Sequence, residues 1–387
     1  MNVDTFEFFS AGRVLFGAGS LEELPKVVDS YGRKALVVRS PFAGNYDKLA
    51  AILEETNIEH AACIVDVEPS IETVNRVVEV AQANHCDFVI GIGGGSVIDT
   101  AKATAAVLTN GGELIDYLEV VGKGKIVNNR CAPLVAIPTT AGTGSEVTRN
   151  AVITIPDKRV KVSMRSNLIL PWVVIVDPRL TLSIPPQVTA STGMDAFIQV
   201  IEPYVSSRAN LMTDILCLEG ISKAAAFLRR VYFHGDDLEA RTNICFVSLM
   251  GGLALANAGL GAVHGIASVI GGMYPAPHGE VCASLLTAVM RANISALMSR
   301  TPESRVIQRY ERIAHLVTGN SKASFSDGIE WFIKLCQDLE IPRLKRLGVK
   351  KDEFPQIVIS SKLSSSIKSN PIELTDSELL EILETAY

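Results

Sequence analysis

The stretch MDAFIQVIEPYV, residues 194–205, sets an acid and an amide four positions apart, Asp195 and Gln199. On a helix that spacing brings both side chains to one face, where they converge on a common point. A carboxylate is an ordinary ligand for a divalent metal, and a neutral amide is an unusual one. A second stretch with chemistry in it is GIGGGSVIDTAK, residues 91–102, which follows the apolar run DFVI and opens a helical pattern. Consecutive glycines let the backbone approach a pyrophosphate, and the N–H groups of a helix start supply donors backed by the helix dipole, so a dinucleotide is the natural occupant. The same residues also read as a ligand-free turn, with Ser96 as N-cap and Asp99 at the third helical position.

Two further small, polar stretches stand beside these. PTTAGTGSEVT, residues 138–148, lies at the carboxyl end of a strand, where open parallel sheets bind ligands, so its hydroxyls are candidates to line the same crevice; it also reads as an ordinary Gly/Thr loop. GAGSLEE, residues 17–23, carries Ser20 and Glu23 in a capping-box pattern and reads as structural.

Such residues need elements to hold them. Short runs rich in Val and Ile recur at KALVVRS (34–40), AACIVDV (61–67), DFVIGIGGGS (87–96), APLVAIPTT (132–140) and WVVIVDP (172–178), with amphipathic stretches such as ETVNRVVEVAQAN (72–84) between the early ones. Near-continuous apolar strands separated by helices imply a parallel sheet covered on both faces. After SIPPQV (183–188) strand-like runs vanish and Ala/Leu-rich helical periodicity takes over. Pro185 and Pro186 cannot sit inside either kind of element, so the expected division is an α/β domain over residues 1–184 and an all-helical domain over 185–387.

Composition narrows the function. The chain has 387 residues, 48% hydrophobic and 20% charged, with a net charge of −6. That is ample for a large core, and it lacks the basic field that nucleic acids or membrane surfaces require. Seven cysteines are scattered with no CxxC pair, which suggests neither a disulfide framework nor a thiolate zinc site and fits a reducing cytoplasm. The opening MNVDTFEFF has no basic residue ahead of an apolar run, so no secretory leader is expected. Residues 246–275 carry no formal charge, but Gly and Ala dominate them and they hold Asn257 and His264, which favours tightly packed buried helices over a membrane span.

Six segments in order, GGGSVIDTAKA, DYLEVVGKGK, AIPTTAGTGSEVT, STGMDAFIQVIEPYVS, GLGAVHG and PAPHGEV, make the chain resemble the iron-containing (group III) alcohol dehydrogenases over essentially its whole length. The resemblance implies an N-terminal Rossmann-like α/β domain and an all-α C-terminal domain, the architecture shared with dehydroquinate synthase, with a divalent metal and a nicotinamide in the cleft between them. Carried over residue by residue, Gly94, Gly95 and Ser96 would hold the pyrophosphate, with Asp99 beside the nicotinamide. Thr139, Thr140, Thr143 and Lys161 would contact the cofactor and Leu180 would pack near its rings. The metal positions fall on Asp195, Gln199, His264 and His278, with Asp195, His264 and His278 as the catalytic set. His60, His85, His234 and His315 match no motif. A homodimer or higher homo-oligomer and a cytoplasmic location are the family-like expectations.

The chain departs from the family pattern in two places. Gln199 replaces a histidine, a weaker partner for Fe(II) or Zn(II), although Asp195, His264 and His278 still make a two-histidine, one-carboxylate set. Ser268 stands four after His264, where many members carry a further histidine. A third position bears on the nucleotide: Ser40 lies where NAD-preferring relatives have an aspartate, with Arg39 adjacent, so NADP is expected to be admitted and preferred over NAD. The reading is reversible hydride transfer between NAD(P) and a small primary or secondary alcohol or its aldehyde or ketone, assisted by metal. The rivals are a metal-independent reductase of the maleylacetate type, a cyclase of the dehydroquinate-synthase type, for which residues 250–285 offer no Lys or Arg, and a non-catalytic nucleotide-binding protein with a degraded metal site.

Overall fold

A computed structural model describes residues 5–387. The expectation drawn from the first four residues, Met1 to Asp4, lies outside them. The chain divides into two units: Phe9–Thr140 with Gly144–Ser183, and Ile184–Tyr387 joined by Ala141–Thr143 and the described residues ahead of Phe9.

The first unit runs β1 (Arg13–Phe16), α1 (Leu24–Val28), β2 (Lys34–Arg39), α2 (Ala43–Glu55), β3 (Glu59–Ile64), α3 (Ile71–Ala83), β4 (Phe88–Gly93), α4 (Gly95–Asn110), β5 (Leu134–Pro138), β6 (Asn150–Ile155), β7 (Val160–Arg165) and β8 (Val173–Val176). Six strands form one all-parallel sheet in the order β1-β8-β5-β4-β2-β3. Alternate side chains of β2 feed two cores. Leu36 and Val38 pack with α3 and α4 residues such as Val74, Val77 and Ala101, and Ala35 and Val37 pack with Leu24, Leu49 and Leu53 from α1 and α2. Each fully buried Val or Leu contributes about 1.5–3 kcal/mol, and both faces are covered, which is why these strands read as continuous apolar runs.

Two elements were not expected from the sequence. β1 is a four-residue edge strand paired with β8, and β6 and β7 make a separate antiparallel hairpin. Two capping readings are also corrected. Ser96 is not a cap: α4 starts two residues earlier than that reading requires, at Gly95 behind Gly94, with no side-chain cap, and Asp99 turns elsewhere. Ser20 instead opens a short 3-10 helix behind Gly19 and donates to the Val176 carbonyl at 3.1 Å.

The second unit is helical: α5 (Pro186–Val205), α6 (Leu211–Phe233), α7 (Leu238–Ala258), α8 (Ala262–Met273), α9 (His278–Arg300), α10 (Arg305–Thr318), α11 (Phe325–Asp338), α12 (Phe354–Leu363) and α13 (Asp376–Ala386). No strand follows β8 among the described residues. Pro185 and Pro186 occupy the N-cap and first position of α5, the one place where a missing N–H costs nothing. From Gly193 to Val205 every residue of α5 is buried, because α6, α7 and α9 surround it. The uncharged stretch 246–275 is no single span, since α7 and α8 meet at 99°. α9 is long and apolar enough to cross a membrane, but 67% of its apolar window is buried inside the protein.

Candidate functional site

A helix buried on all sides must satisfy its polar side chains internally. α5 carries three of them on one face, Asp195, Gln199 and Glu202, at positions i, i+4 and i+7. Asp195 Oδ1 lies 3.1 Å from His264 Nε2 on α8 and 3.9 Å from His278 Nε2 at the start of α9. Its second oxygen, Oδ2, accepts from Gln199 Nε2 at 3.0 Å, while the other amide atom, Gln199 Oε1, is buried without a hydrogen-bond partner. The start of α9 is pressed tightly onto α5: a Cβ at Gly279 would come within 2.1 Å of the Ser191 carbonyl oxygen, so only glycine allows the approach that delivers His278.

Glu202 holds His264 from behind. Its Oε2 is 2.6 Å from His264 Nδ1, and its Oε1 accepts from the Val263 N–H at 2.7 Å, so one carboxylate caps the first turn of α8 and orients the imidazole. Nδ1 is tied to Glu202 and Nε2 faces Asp195, so Nε2 is the nitrogen that a metal would take in exchange for its proton, the orientation typical of metal-bound histidines. Cys282, one turn after His278 on α9, completes the group, its Sγ 3.5 Å from His278 Nε2. Ligand atoms of Asp195, His264, His278 and Cys282 all lie within 4.8 Å of one another. These donors, buried but for the partly exposed His278, fit a divalent cation: one carboxylate oxygen and two imidazole nitrogens converge, and an amide oxygen beside them lacks any partner.

The electrostatics are those of a coupled cluster. Burial pushes the Asp195 carboxyl up, but the hydrogen bond from His264 and the charge of His278 outweigh it and the group ends below its ordinary range. Burial likewise opposes protonation of the two imidazoles, and their acidic neighbours, Cys282 foremost, raise both. Burial acts to raise the Cys282 thiol, while His278 and His264 together bring it down. Sequence reasoning missed Glu202 and Cys282. The signals were there: Glu202 is the i+7 neighbour of Asp195 inside the same stretch, and Cys282 the i+4 neighbour of His278.

In the sheet unit, β2 leads to β3 on one side of the sheet and β4 leads to β5 on the other, so the carboxyl ends of β2 and β4 flank the point where connections reverse direction, the usual ligand crevice of such sheets. Ser40 and the glycine turn sit at those two ends, tied by the Ser40 N–H to the Ile92 carbonyl at 3.3 Å. Gly94, Gly95 and Ser96 form the entry to α4, whose first internal bond runs from Ile98 N to Gly94 O at 3.1 Å, leaving the preceding N–H groups directed to the helix mouth. Gly93 serves packing, since a Cβ there would meet Val97 Cγ2 at 2.5 Å. Thr139 and Thr140 follow β5 beside this turn; Thr139 N donates to Gly93 O at 2.9 Å, and a Cβ at Gly94 would stand 3.3 Å from Thr140 Oγ1.

The remaining expected cofactor residues are held as follows. Thr143 belongs with the helical unit. Leu180 is buried in the core among Ile92, Val135 and Ile175. Lys161, on β7, is a largely buried cation 3.1 Å from Glu68 Oε1 rather than a plain surface lysine. Asp99 turns inward: it accepts from the Ser145 hydroxyl and from Val152 N at 3.0 Å, and lies 2.9 Å from Lys102 Nζ. The fully buried Lys102 also donates to the Ser145 carbonyl at 2.8 Å, to Thr148 Oγ1 at 3.0 Å and to the Asn150 carbonyl. Arg39, beside Ser40, stacks its guanidinium 4.3 Å from the Tyr46 ring centre, and its Nε is buried without a partner.

Comparison with known proteins agrees with this architecture. Residues 11–178 match the profile of the iron-containing alcohol dehydrogenases, and residues 189–387 match the C-terminal profile of the Fe-containing alcohol dehydrogenase family. Alcohol dehydrogenase 4 of Schizosaccharomyces pombe is 37% identical over 379 residues, spanning 96% of this chain and 87% of its own. The 1,3-propanediol dehydrogenase of Citrobacter freundii is 36% identical, spanning 92% of each chain. The crystal structure of a 1,3-propanediol oxidoreductase superposes with a TM-score of 0.92 at 32% identity, covering 99% of this chain and 100% of that one.

Proposed function

The chain belongs to the iron-containing alcohol dehydrogenase family, and from that premise we propose how its own residues carry out the reaction. The protein is an oxidoreductase that interconverts alcohols and aldehydes with a nicotinamide cofactor, in a family that uses NAD(P) and a metal. Asp195, His264 and His278 would hold the ion, Fe(II) or Zn(II), and Gln199 and Glu202 position that set. When bound, such an ion acts as a Lewis acid, lowering the pKa of an alcohol and polarising a carbonyl. The observation that carries this reading is the convergence of one carboxylate and two imidazoles on a face of α5 buried on all sides.

The other roles follow from the residues present. Gly94, Gly95 and Ser96 offer backbone donors to the pyrophosphate, with Thr139 and Thr140 alongside. Ser40 leaves room at the ribose 2′ position, and Arg39, held against the Tyr46 ring with an unpartnered Nε, supplies a cation for a 2′-phosphate, which favours NADP. Ser268 stands where many members carry a histidine and spends its proton on the Gly265 carbonyl at 3.0 Å, so the substrate proton would leave through water, the ribose hydroxyls or another group. Residues 269–277, next to His278, bring no charged side chain, which favours a small unbranched or aromatic substrate over a sugar phosphate.

The test is NADPH oxidation over a panel of small aldehydes, with and without a strong chelator, on protein whose metal content has been measured. Aldehyde reduction that disappears with chelation and returns with Fe(II) or Zn(II) is the expected result. Reduction indifferent to metal removal would overturn the role given to Asp195, His264 and His278.

A further inference from the structure

We propose that Cys282 is a fourth protein donor of the metal centre, a thiolate on α9 that joins Asp195, His264 and His278. The proposal rests on the reading that Asp195, His264 and His278 hold the ion. His278 and Cys282 stand four apart on α9, the same relation as Asp195 and Gln199 on α5, so each helix presents two side chains to one point. Four ligands at about 2.0–2.3 Å from a tetrahedral ion lie about 3.3–3.8 Å from one another. Three of the separations are 3.1 Å for Asp195 Oδ1 to His264 Nε2, 3.9 Å for Asp195 Oδ1 to His278 Nε2 and 3.5 Å for His278 Nε2 to Cys282 Sγ, and all four donor atoms lie within 4.8 Å of one another, a spread that a bound ion would draw in. Cys282 is fully buried, and with a fourth protein donor in place the substrate oxygen would enter as a fifth ligand, an expansion that zinc permits.

Gln199 makes a different contribution. Its Nε2 occupies Asp195 Oδ2, and that leaves Oδ1 as the oxygen that faces both imidazoles. Through Nε2, Gln199 aims the carboxylate, while its Oε1 stands unpartnered beside the site. Binding would release the thiol proton to solvent as the Sγ–metal bond forms. A thiolate is softer than imidazole, so a centre of this composition prefers Zn(II) over Fe(II) or Mn(II) more strongly than an all-oxygen and nitrogen set does.

The experiment loads metal-free protein with Co(II) and records its spectrum. The expected result has two parts: visible ligand-field bands of a low-symmetry site, and a near-ultraviolet sulfur-to-cobalt charge-transfer band. Cys282→Ser should keep the former, lose the latter, and weaken Zn(II) binding by about tenfold or more in chelator competition, while Mn(II) binding changes little. Visible bands without charge transfer in the parent protein would overturn the thiolate and leave the three-ligand reading standing. Failure to take up one Co(II) per chain would overturn both. Should Cys282→Ser not fold, X-ray absorption on the zinc-loaded parent decides: a sulfur neighbour at about 2.3 Å supports the proposal, and a shell of oxygen and nitrogen alone refutes it.

Discussion

The buried charge cluster beneath the glycine turn makes a testable demand on stability. Lys102 is one ammonium facing two acids, Asp99 at 2.9 Å and the buried Glu146, and Glu146 is the carboxyl left over. Burial pushes its pKa from 4.5 up to about 7, against partial help from its own backbone and from Lys102. The folded protein therefore keeps the Glu146 proton up to near neutrality, while the unfolded chain releases it around pH 4.5. Between those values the folded state binds more protons, so stability falls as pH rises through the window and the loss is complete above about pH 7. A separation of about 2.5 pH units, at about 1.36 kcal/mol each, makes the whole effect about 3 kcal/mol. Glu146→Gln has no proton to lose. Its stability relative to the parent should match near pH 4.5 and exceed it by up to about 3 kcal/mol at pH 8, since the parent alone must then carry a buried carboxylate. Urea unfolding of both proteins across pH 4.5–8, followed by far-UV circular dichroism, reads the difference directly, because other titrating groups cancel in the subtraction. Two parallel stability curves would refute the argument and show that Glu146 is ionised in the fold.

Further perturbations probe the two candidate sites separately. Glu202→Gln removes the carboxylate behind His264, and zinc affinity in a chelator competition is expected to fall about 10–100-fold with the helical content intact; unchanged affinity would mean that His264 does not depend on it. Gly93→Ala forces a Cβ to within 2.5 Å of Val97 and should cost about 1–3 kcal/mol in denaturant unfolding, with no cost implying that α4 is free to move off β4. Ser40→Asp should lower the NADP to NAD ratio of kcat/KM by about tenfold or more, and a ratio that stays put would remove Arg39 and Ser40 from cofactor selection.

The parts of the fold that could be read from sequence are those with a strong one-dimensional signature. Strands covered on both faces appear as Val/Ile runs, and five of the six sheet strands were found that way, each within a few residues. β1 was missed because four residues, RVLF, carry too little pattern. The hairpin of β6 and β7 was missed for the opposite reason: VITIPDKRVKVSM alternates, with Ile153, Ile155, Val162 and Met164 buried and their neighbours partly exposed, a period-two signal hidden from a search for continuous runs. Asp195, His264 and His278 were legible only through the family resemblance, since the approach of three separate helices is long-range information. Glu202 and Cys282 were a single helical step from residues already singled out, and were passed over because an acid and a lone cysteine look ordinary until burial is known.

The helix that opens at the glycine turn is riveted from within. Lys102 reaches from α4 to the carbonyls of Ser145 and Asn150, and Asp99 grips Val152, so two turns past the mouth the helix is bolted to the adjoining hairpin and its lead-in. Sliding or tilting α4 would strand a cation and an anion in the interior, each costing several kcal/mol. A phosphate arriving at residues 94–96 thus meets amide hydrogens already locked in place, and little of its binding free energy is consumed in ordering the receptor. Rigidity at this mouth is then a property of the apo protein, and amide hydrogen exchange from Ile98 onward, where the helical bonds begin, should be slow before any nucleotide is added.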